Sequence, residues 1–311
     1  PSISHVTCNG NCNGTITLNA TGGTGTLSFL WAHDSSTNPD LTGLCSGDYS
    51  VTITDSTNCS RVFDFTITEP SALTATPLST DVSCFGGSDG AIDINPGGGV
   101  PPYSYLWNTG DTIQDIDSLV FGNYTIQVVD TNGCIEEQTY LVDQPAAPVA
   151  IADTLGNISC FGGNDGFIDI TVTGGNGGYS FDWSNAALTE DLTDLFVGVY
   201  IIEVEDSLGC FASDTITLTE PLAPLSLTTD MTAVLCFGEA NGIASVSASG
   251  GTAPYTYLWN NTQTTSTVSG LPIGTYSVLV TDSLGCTASL SVTLTQPQAP
   301  ISVTSVVTDL I

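Results

Sequence analysis

The residues of this chain best equipped for covalent chemistry are its ten cysteines. Four of them, Cys8, Cys84, Cys160 and Cys236, stand at steps of 76 residues. Four more, Cys59, Cys134, Cys210 and Cys286, follow at steps of 75, 76 and 76. Cys12 and Cys45 occur once, where the next unit has Ser88 and Val120. Thiols spaced so regularly read as disulfides of an oxidising compartment. The natural pairs are one per unit: Cys8–Cys59, Cys84–Cys134, Cys160–Cys210 and Cys236–Cys286. Cys12 pairs with Cys45. In each unit the first member ends the first strand and the second starts the last strand, and those two segments lie side by side at one edge. Closing a loop of about 50 residues is worth roughly 4 kcal/mol in the chain-entropy model. No CxxC pair supports zinc instead.

The other reactive side chains are sparse. His5 and His33 are the only histidines and sit in one unit. No carboxylate pair recurs in every unit, so the expectation is a protein that is not an enzyme. Carboxylate and amide oxygens are the ligands of calcium. The calcium candidates are Asp89 and Asp165, in Asx-Gly turns, and Asp130, Asp206 and Asp282, with Asp55, before the second cysteine. The competing reading has these residues capping turns through backbone bonds. No cofactor is required; calcium is the one candidate ion.

The elements that must position these residues repeat with them. Trp31, Trp107, Trp183 and Trp259 keep the 76-residue step. A fixed period of this length marks an array of like domains. In the second unit Ile92 and Ile94, then Tyr103, Tyr105 and Trp107, then Tyr124, Ile126 and Val128 alternate with polar or variable residues. Tyr140 and Val142 flank Leu141. Period-two alternation in short segments is the half-buried strand signal. Gly98-Gly99 and its equivalents recur between the second and third strands. Asn13-Gly14, Asp89-Gly90, Asp165-Gly166 and Asn241-Gly242 recur before the second strand, where Asx-Gly would supply a positive φ. No period of 3.6 occurs. The expected fold is all-β: a tandem array of four small immunoglobulin-like antiparallel β-sandwiches, each with a disulfide. Leu119, Gly122 and Tyr124 match the tyrosine corner of such sandwiches, with the ring in the core and the hydroxyl on backbone.

The domains expected are residues 1–70 (with a truncated start), 71–146, 147–222 and 223–298, with 299–311 the first strand of a following repeat. Pro1 aligns with Pro77 and Ile311 with Leu235, so the chain reads as a window on a longer array. The joints are short and proline-rich: Glu69-Pro70, Gln144-Pro145, Glu220-Pro221 and Gln296-Pro297. Such joints act as semi-rigid spacers, and a rod is expected.

Net charge is −31, with Arg61 the single basic side chain against 32 acids. Nucleic acid and anionic lipid need clustered Lys and Arg and are excluded as partners. The acids number 6, 10, 12 and 3 in the four units. A fold that tolerates such variation uses the charge for solubility and self-repulsion. Seawater-like salt screens it over roughly 4 Å, and a marine or saline habitat is expected. No run of 18 apolar residues exists, so no membrane insertion is expected in this segment. Leu141, Ile201 and Leu279 on outward faces are candidates for lateral self-association into a multi-stranded filament.

One run of residues resembles a known family. Cys84-Phe85-Gly86-Gly87-x-Asp89-Gly90, Tyr103-x-Tyr105-x-Trp107, Gly122-x-Tyr124 and Asp130-x-x-Gly133-Cys134 are similar to the SprB repeat. The match covers all four units; in the first, Asn9 replaces the Phe and Asn58 the Gly. That family is found in giant surface adhesins and filaments of Bacteroidota, including a gliding-motility adhesin exported by type IX secretion. The resemblance implies an extracellular location on a Gram-negative cell and a structural stalk in surface attachment, gliding or cell–cell contact. Its partners would be neighbouring repeats of the same long chain. Two alternatives are repeats that themselves bind glycan or a partner cell, and a spacer array of a larger secreted enzyme. Bacteroidota also attach O-glycans at Asp-Ser/Thr-apolar (or Thr) sequences. The acceptors this implies are Ser56, Thr112, Ser118, Thr154, Ser207, Thr215 and Ser283.

Overall fold

A computed structural model describes residues 1–307. The first repeat contains β1 (Ser2–Ser4), β2 (Gly14–Thr17), β3 (Ser28–Trp31), β4 (Asp40–Leu44), β5 (Gly47–Thr54) and β6 (Ser60–Ile67). The second contains β7 (Thr74–Thr80), β8 (Gly90–Gly97), β9 (Ser104–Trp107), β10 (Ile116–Leu119), β11 (Gly122–Val129) and β12 (Ile135–Val142). The third runs through β13 (Ala150–Gly156), β14 (Gly166–Thr173), β15 (Ser180–Trp183), β16 (Leu192–Leu195), β17 (Gly198–Glu205) and β18 (Phe211–Leu218). The fourth runs through β19 (Ser226–Thr232), β20 (Gly242–Ser249), β21 (Thr256–Trp259), β22 (Thr267–Leu271), β23 (Gly274–Thr281) and β24 (Thr287–Leu294). No helix occurs among the described residues, and none is long and apolar enough to cross a membrane.

Each repeat forms two antiparallel three-stranded sheets. In the second repeat they are ordered β7-β8-β10 and β9-β11-β12, and the other repeats copy this order. First, second and fourth strands in one sheet, third, fifth and sixth in the other, is the connectivity of an immunoglobulin-like sandwich. The alternation seen in the sequence decides which side faces in. Along β11, Tyr124, Ile126 and Val128 are buried while the residues between them are not. They meet Ile92, Ile94, Trp107, Ile116, Leu119 and Val142 in one core.

Two aromatic residues tie each core to its loops. The four tryptophan indoles are buried, and each donates its ring N–H to a carbonyl in the following loop. The acceptors are Asn38, Ile113, Thr189 and Thr265, at 2.8–3.0 Å. The tyrosine corner is present in all four repeats. Tyr49, Tyr124, Tyr200 and Tyr276 donate to the carbonyls of Cys45, Val120, Phe196 and Pro272, each four residues upstream.

The Asx-Gly turns work differently from expectation. Gly14, Gly90, Gly166 and Gly242 are not among the positive-φ residues. They are glycine for want of space: a Cβ on Gly90 would lie 2.6 Å from Val142 Cγ1, and one on Gly242 would lie 2.7 Å from Leu294 Cδ1. The positive φ belongs to the double glycines, at +66° for Gly98 and +57° for Gly99.

The chain divides into two compact units, residues 1–148 and 149–311, each containing two repeats. Residues 299–307, part of the expected first strand of a following repeat over 299–311, form no strand here; residues 308–311 lie outside the described residues. The reason is the partner. In each repeat the first strand exists by pairing with the second, as β19 pairs with β20, and nothing among the described residues pairs with 299–307.

Candidate functional site: the disulfide junction between repeats

The first and last strands of a repeat run in the same direction. In the second repeat Val82, just past the end of β7, donates its N–H to Asp143, just past the end of β12. Ala72 and Leu73, just before β7, share a groove with Cys134 and Ile135 at the start of β12. The first cysteine of a repeat therefore sits at its exit pole and the second at its entry pole. The eight residues of β12 separate them by about 26 Å at the usual rise per residue. A disulfide needs Cα atoms within about 7 Å.

Pairing within a repeat is thus excluded, and the expected bonds Cys8–Cys59, Cys84–Cys134, Cys160–Cys210 and Cys236–Cys286 are not formed. Cys8 of the first repeat bonds Cys134 of the second, with Cα atoms 5.7 Å apart. Cys160 of the third bonds Cys286 of the fourth, at 5.6 Å. Both pairs have a sequence separation of 126. Cys84 and Cys210 are disulfide-bonded as well. Cys12 is joined to Cys45 inside the first repeat. Cys59 and Cys236 are free and exposed, contrary to the expectation that all ten were paired.

In the second, third and fourth repeats the second cysteine is presented by a turn built on a buried carboxylate. Asp130 Oδ1 accepts the N–H groups of Asn132 and Cys134, and its Oδ2 accepts that of Val100, all at 2.8–2.9 Å. Asp206 serves Leu208, Cys210 and Asn176 in the same way, and Asp282 serves Leu284, Cys286 and Thr252. Burial pushes the carboxyl pKa of Asp130, Asp206 and Asp282 up, but these backbone donors together outweigh it and hold all three below the usual carboxylate value. Asp55 of the first repeat accepts from Thr24, Thr57 and Cys59, and its pKa falls to about 2, with the Thr24 amide the leading cause.

Each first cysteine lies in a loop held from two sides. The Asx residue accepts an N–H six residues upstream: Asn13 from Thr7, Asp89 from Ser83, Asp165 from Ser159 and Asn241 from Leu235. The joint residue before proline accepts the N–H of the glycine two residues after the cysteine. These pairs are Glu69 with Gly10, Gln144 with Gly86, Glu220 with Gly162 and Gln296 with Gly238, at 2.5–2.9 Å. The sequence showed these Glu and Gln residues only as spacer. Their signal was a recurring side-chain acceptor before proline in otherwise variable joints.

The joint itself docks on the double glycine of the repeat it enters. Gly99 donates to Ser71 and Gly251 to Ala223, both at 2.9 Å. A Cβ on Gly98 would stand 1.8 Å from the Ala72 carbonyl oxygen, and one on Gly250 would stand 2.1 Å from that of Pro224. Close backbone approach, rather than turn formation alone, requires glycine there.

The calcium candidates are all engaged by hydrogen-bond donors of the chain itself. Asp130, Asp206 and Asp282 spend their oxygens on backbone donors, and the hydroxyls of Ser83 and Ser159, followed by their amides, hold Asp89 and Asp165 below the usual carboxylate pKa. Among the described residues no three acidic, histidine or cysteine side chains converge on a point. The seven glycan acceptors are all exposed. Ser56, Ser207 and Ser283 lie in the turn before the second cysteine, Thr112 in the loop after β9, Ser118 in β10, Thr154 in β13 and Thr215 in β18. Leu141, Ile201 and Leu279 face outward at 50%, 49% and 42% exposure.

A family model described as the SprB repeat matches residues 2–35, 76–112, 152–188 and 228–264. One curated relative, a decoration protein of Escherichia phage T5, is 39% identical over 75 residues, covering 20% of this chain and 46% of that protein. The chain thus spans under half the length of that relative. Among solved structures it is similar to the N-terminal four Ig domains of Dscam1 isoform 6.44, at 13% identity and TM-score 0.25, covering 91% of this chain and 94% of that one. It is also similar to extracellular domains 3–5 of Drosophila OTK, at 12% identity and TM-score 0.30, covering 73% and 100%. A third is surface layer protein SbsC, domains 1–6, at 14% identity and TM-score 0.29, covering 88% and 50%. With one family match on each unit of the 76-residue period, the chain is a tandem array of SprB repeats and belongs to the SprB-repeat family.

Proposed function

We propose that this chain is a tension-carrying segment of an extracellular surface stalk, and that the repeat serves as a link rather than as a binding site. The observation that carries this reading is the placement of the disulfides. Tension entering at the first residues reaches Cys8, crosses to Cys134, follows the chain to Cys160 and crosses to Cys286. The four sandwich cores lie almost wholly inside the two bypassed loops. A covalent bypass of this kind suits a filament that must hold under drag without unravelling. Disulfide chemistry places it outside a reducing cytosol, and the SprB-repeat family favours a surface adhesin or filament of a Bacteroidota cell. The tryptophans that recur in every repeat are buried in the cores and offer no repeated aromatic platform for glycan. O-glycosylation at the seven exposed acceptors belongs to the same proposal. The deciding experiment is single-molecule stretching with the disulfides intact: a chain that extends to the length of all its residues overturns the reading.

A further inference from the structure

The junction bonds do not join cysteines that are neighbours along the chain. Cys12, Cys45, Cys59 and Cys84 stand between Cys8 and Cys134, and Cys210 and Cys236 stand between Cys160 and Cys286. In an unfolded chain, encounter falls as about the 3/2 power of the intervening length. Cys160 and Cys210 are 50 residues apart and Cys134 and Cys160 only 26, against the separation of 126 in each observed bond. The first wrong pair therefore forms about four times as readily as an observed one, and the second about ten times. One Cys134–Cys160 bond is enough to take a partner from both junctions.

Folding reverses the preference. The two poles of a repeat lie about 26 Å apart along a strand such as β12, beyond the reach of a disulfide, so Cys84–Cys134 and Cys160–Cys210 cannot close in a folded repeat. The correct sulfurs are meanwhile brought together by bonds that need no sulfur. Asn132 of the second repeat donates its side-chain N–H to the carbonyl of Thr7 in the first, at 2.9 Å. Asn9 donates to the carbonyl of Pro70 at 3.0 Å, and Glu69 holds Gly10. These contacts flank Cys8, and the Asp130 turn fixes Cys134 opposite it. Cys8, Cys134, Cys160 and Cys286 are half-buried rather than sealed. Cys8 and Cys134 line an open groove of about 440 Å³ with Leu73, Ile135 and Glu136, which leaves their bond within reach of an attacking thiolate.

We propose that the junction bonds become the favoured ones only once neighbouring repeats have folded and docked, and that a dithiol protein of the disulfide-isomerase class acts on this chain to reach them. The partner's thiolate attacks the Cys134 sulfur of a Cys134–Cys160 bond, and Cys160 leaves as a thiolate. The docked Cys8 thiolate then attacks Cys134 in the mixed disulfide and expels the partner. One S–S bond is broken and one is made, so the exchange uses no oxidant and returns the partner's thiol. In an oxidising compartment the partner corrects whatever pairs formed before the sandwiches did.

The test oxidises the reduced full chain in denaturant, removes the denaturant and maps the disulfides in non-reduced peptides. The expected product is a mixture poor in Cys8–Cys134 and Cys160–Cys286. A catalytic amount of a thioredoxin-fold disulfide isomerase should convert it to these two bonds about tenfold faster than equal thiol supplied as glutathione. The reduced chain folded first and then oxidised should give both bonds directly. Native pairing straight from denaturant would overturn the proposal. So would an isomerase no better than glutathione, or a mixture from the chain folded first. Asn132→Ala, at an exposed turn, should slow closure of Cys8–Cys134 severalfold. Cys160–Cys286, whose repeat has Leu284 at that place, is the internal standard; equal closure would remove the Asn132 contact from the guide. Stretching a chain whose bonds are already mapped tests the stalk without reference to how those bonds arose, so the two readings fail separately.

Discussion

Stretching the chain from its two ends measures the disulfide pattern directly. With bonds intact, tension runs through about 60 of the 311 residues, because each of the two closed loops removes a separation of 126 residues from the path. Cys84 and Cys210, also bonded, lie inside those loops and cannot lengthen the path. Extended backbone spans about 3.3–3.6 Å per residue, so each loop hides about 415–450 Å, against a Cα–Cα crossing of 5.7 Å or 5.6 Å. The fully reduced chain should therefore exceed the oxidised one by about 830–900 Å of contour length. The assay is atomic-force or optical-trap extension with handles at both termini, with and without reductant. Four bonds within repeats, each closing about 50 residues, would hide only about 660–720 Å. A difference near that value, or none, would refute the junction pattern and with it the tension bypass.

Four further outcomes follow from the same geometry. Removing both partners of one bond, Cys160→Ser with Cys286→Ser, should destabilise the third and fourth repeats by about 5 kcal/mol in the chain-entropy model, read by denaturant unfolding. Gly98→Ala, which drives a Cβ into the Ala72 carbonyl, should cost about 1–3 kcal/mol more than Gly22→Ala, where nothing stands within 4 Å; equal losses would refute the docked joint. Asp130 and Asp282 have folded-state pKa values below their unfolded ones, so their contribution is complete above about pH 4 and fades as pH falls through the lowered values. Acid also relieves the self-repulsion of 32 carboxylates, so the test compares the parent with Asp130→Asn plus Asp282→Asn, whose loss relative to the parent should shrink across that window. Chelation with EDTA should leave the melting temperature unchanged, because the candidate carboxylates already accept hydrogen bonds from the chain's own amides and hydroxyls; a clear drop would restore calcium.

The fold was legible because its signals are local. Alternation along Tyr124, Ile126 and Val128 identifies the inward face, and the Leu-x-x-Gly-x-Tyr pattern identifies the corner. The site was legible only in part. Residue spacing announced the cysteines and the aspartates before them, but pairing is a matter of direction. Placing the first cysteine at the end of the first strand and the second at the start of the last suggests adjacency only if those strands are antiparallel. They lie in different sheets and run parallel, so end meets end and start meets start. The Glu and Gln of the joints were hidden for a related reason: their partner glycines lie about 60 residues away in sequence and meet them only at the exit pole.

The constant and variable parts of the repeat point the same way. Acid content varies from 3 to 12 between units, and the outward strand residues drift. What stays fixed outside the core gathers at the two poles. At the entry are the double glycine that receives the joint and the aspartate turn that presents the second cysteine. At the exit are the Asx that braces the first cysteine and the Glu or Gln that binds its loop. A binding array would hold a side face constant and let the poles vary. This chain does the reverse, so the unit being repeated is the junction, with the sandwich as the rigid body that sets one junction apart from the next.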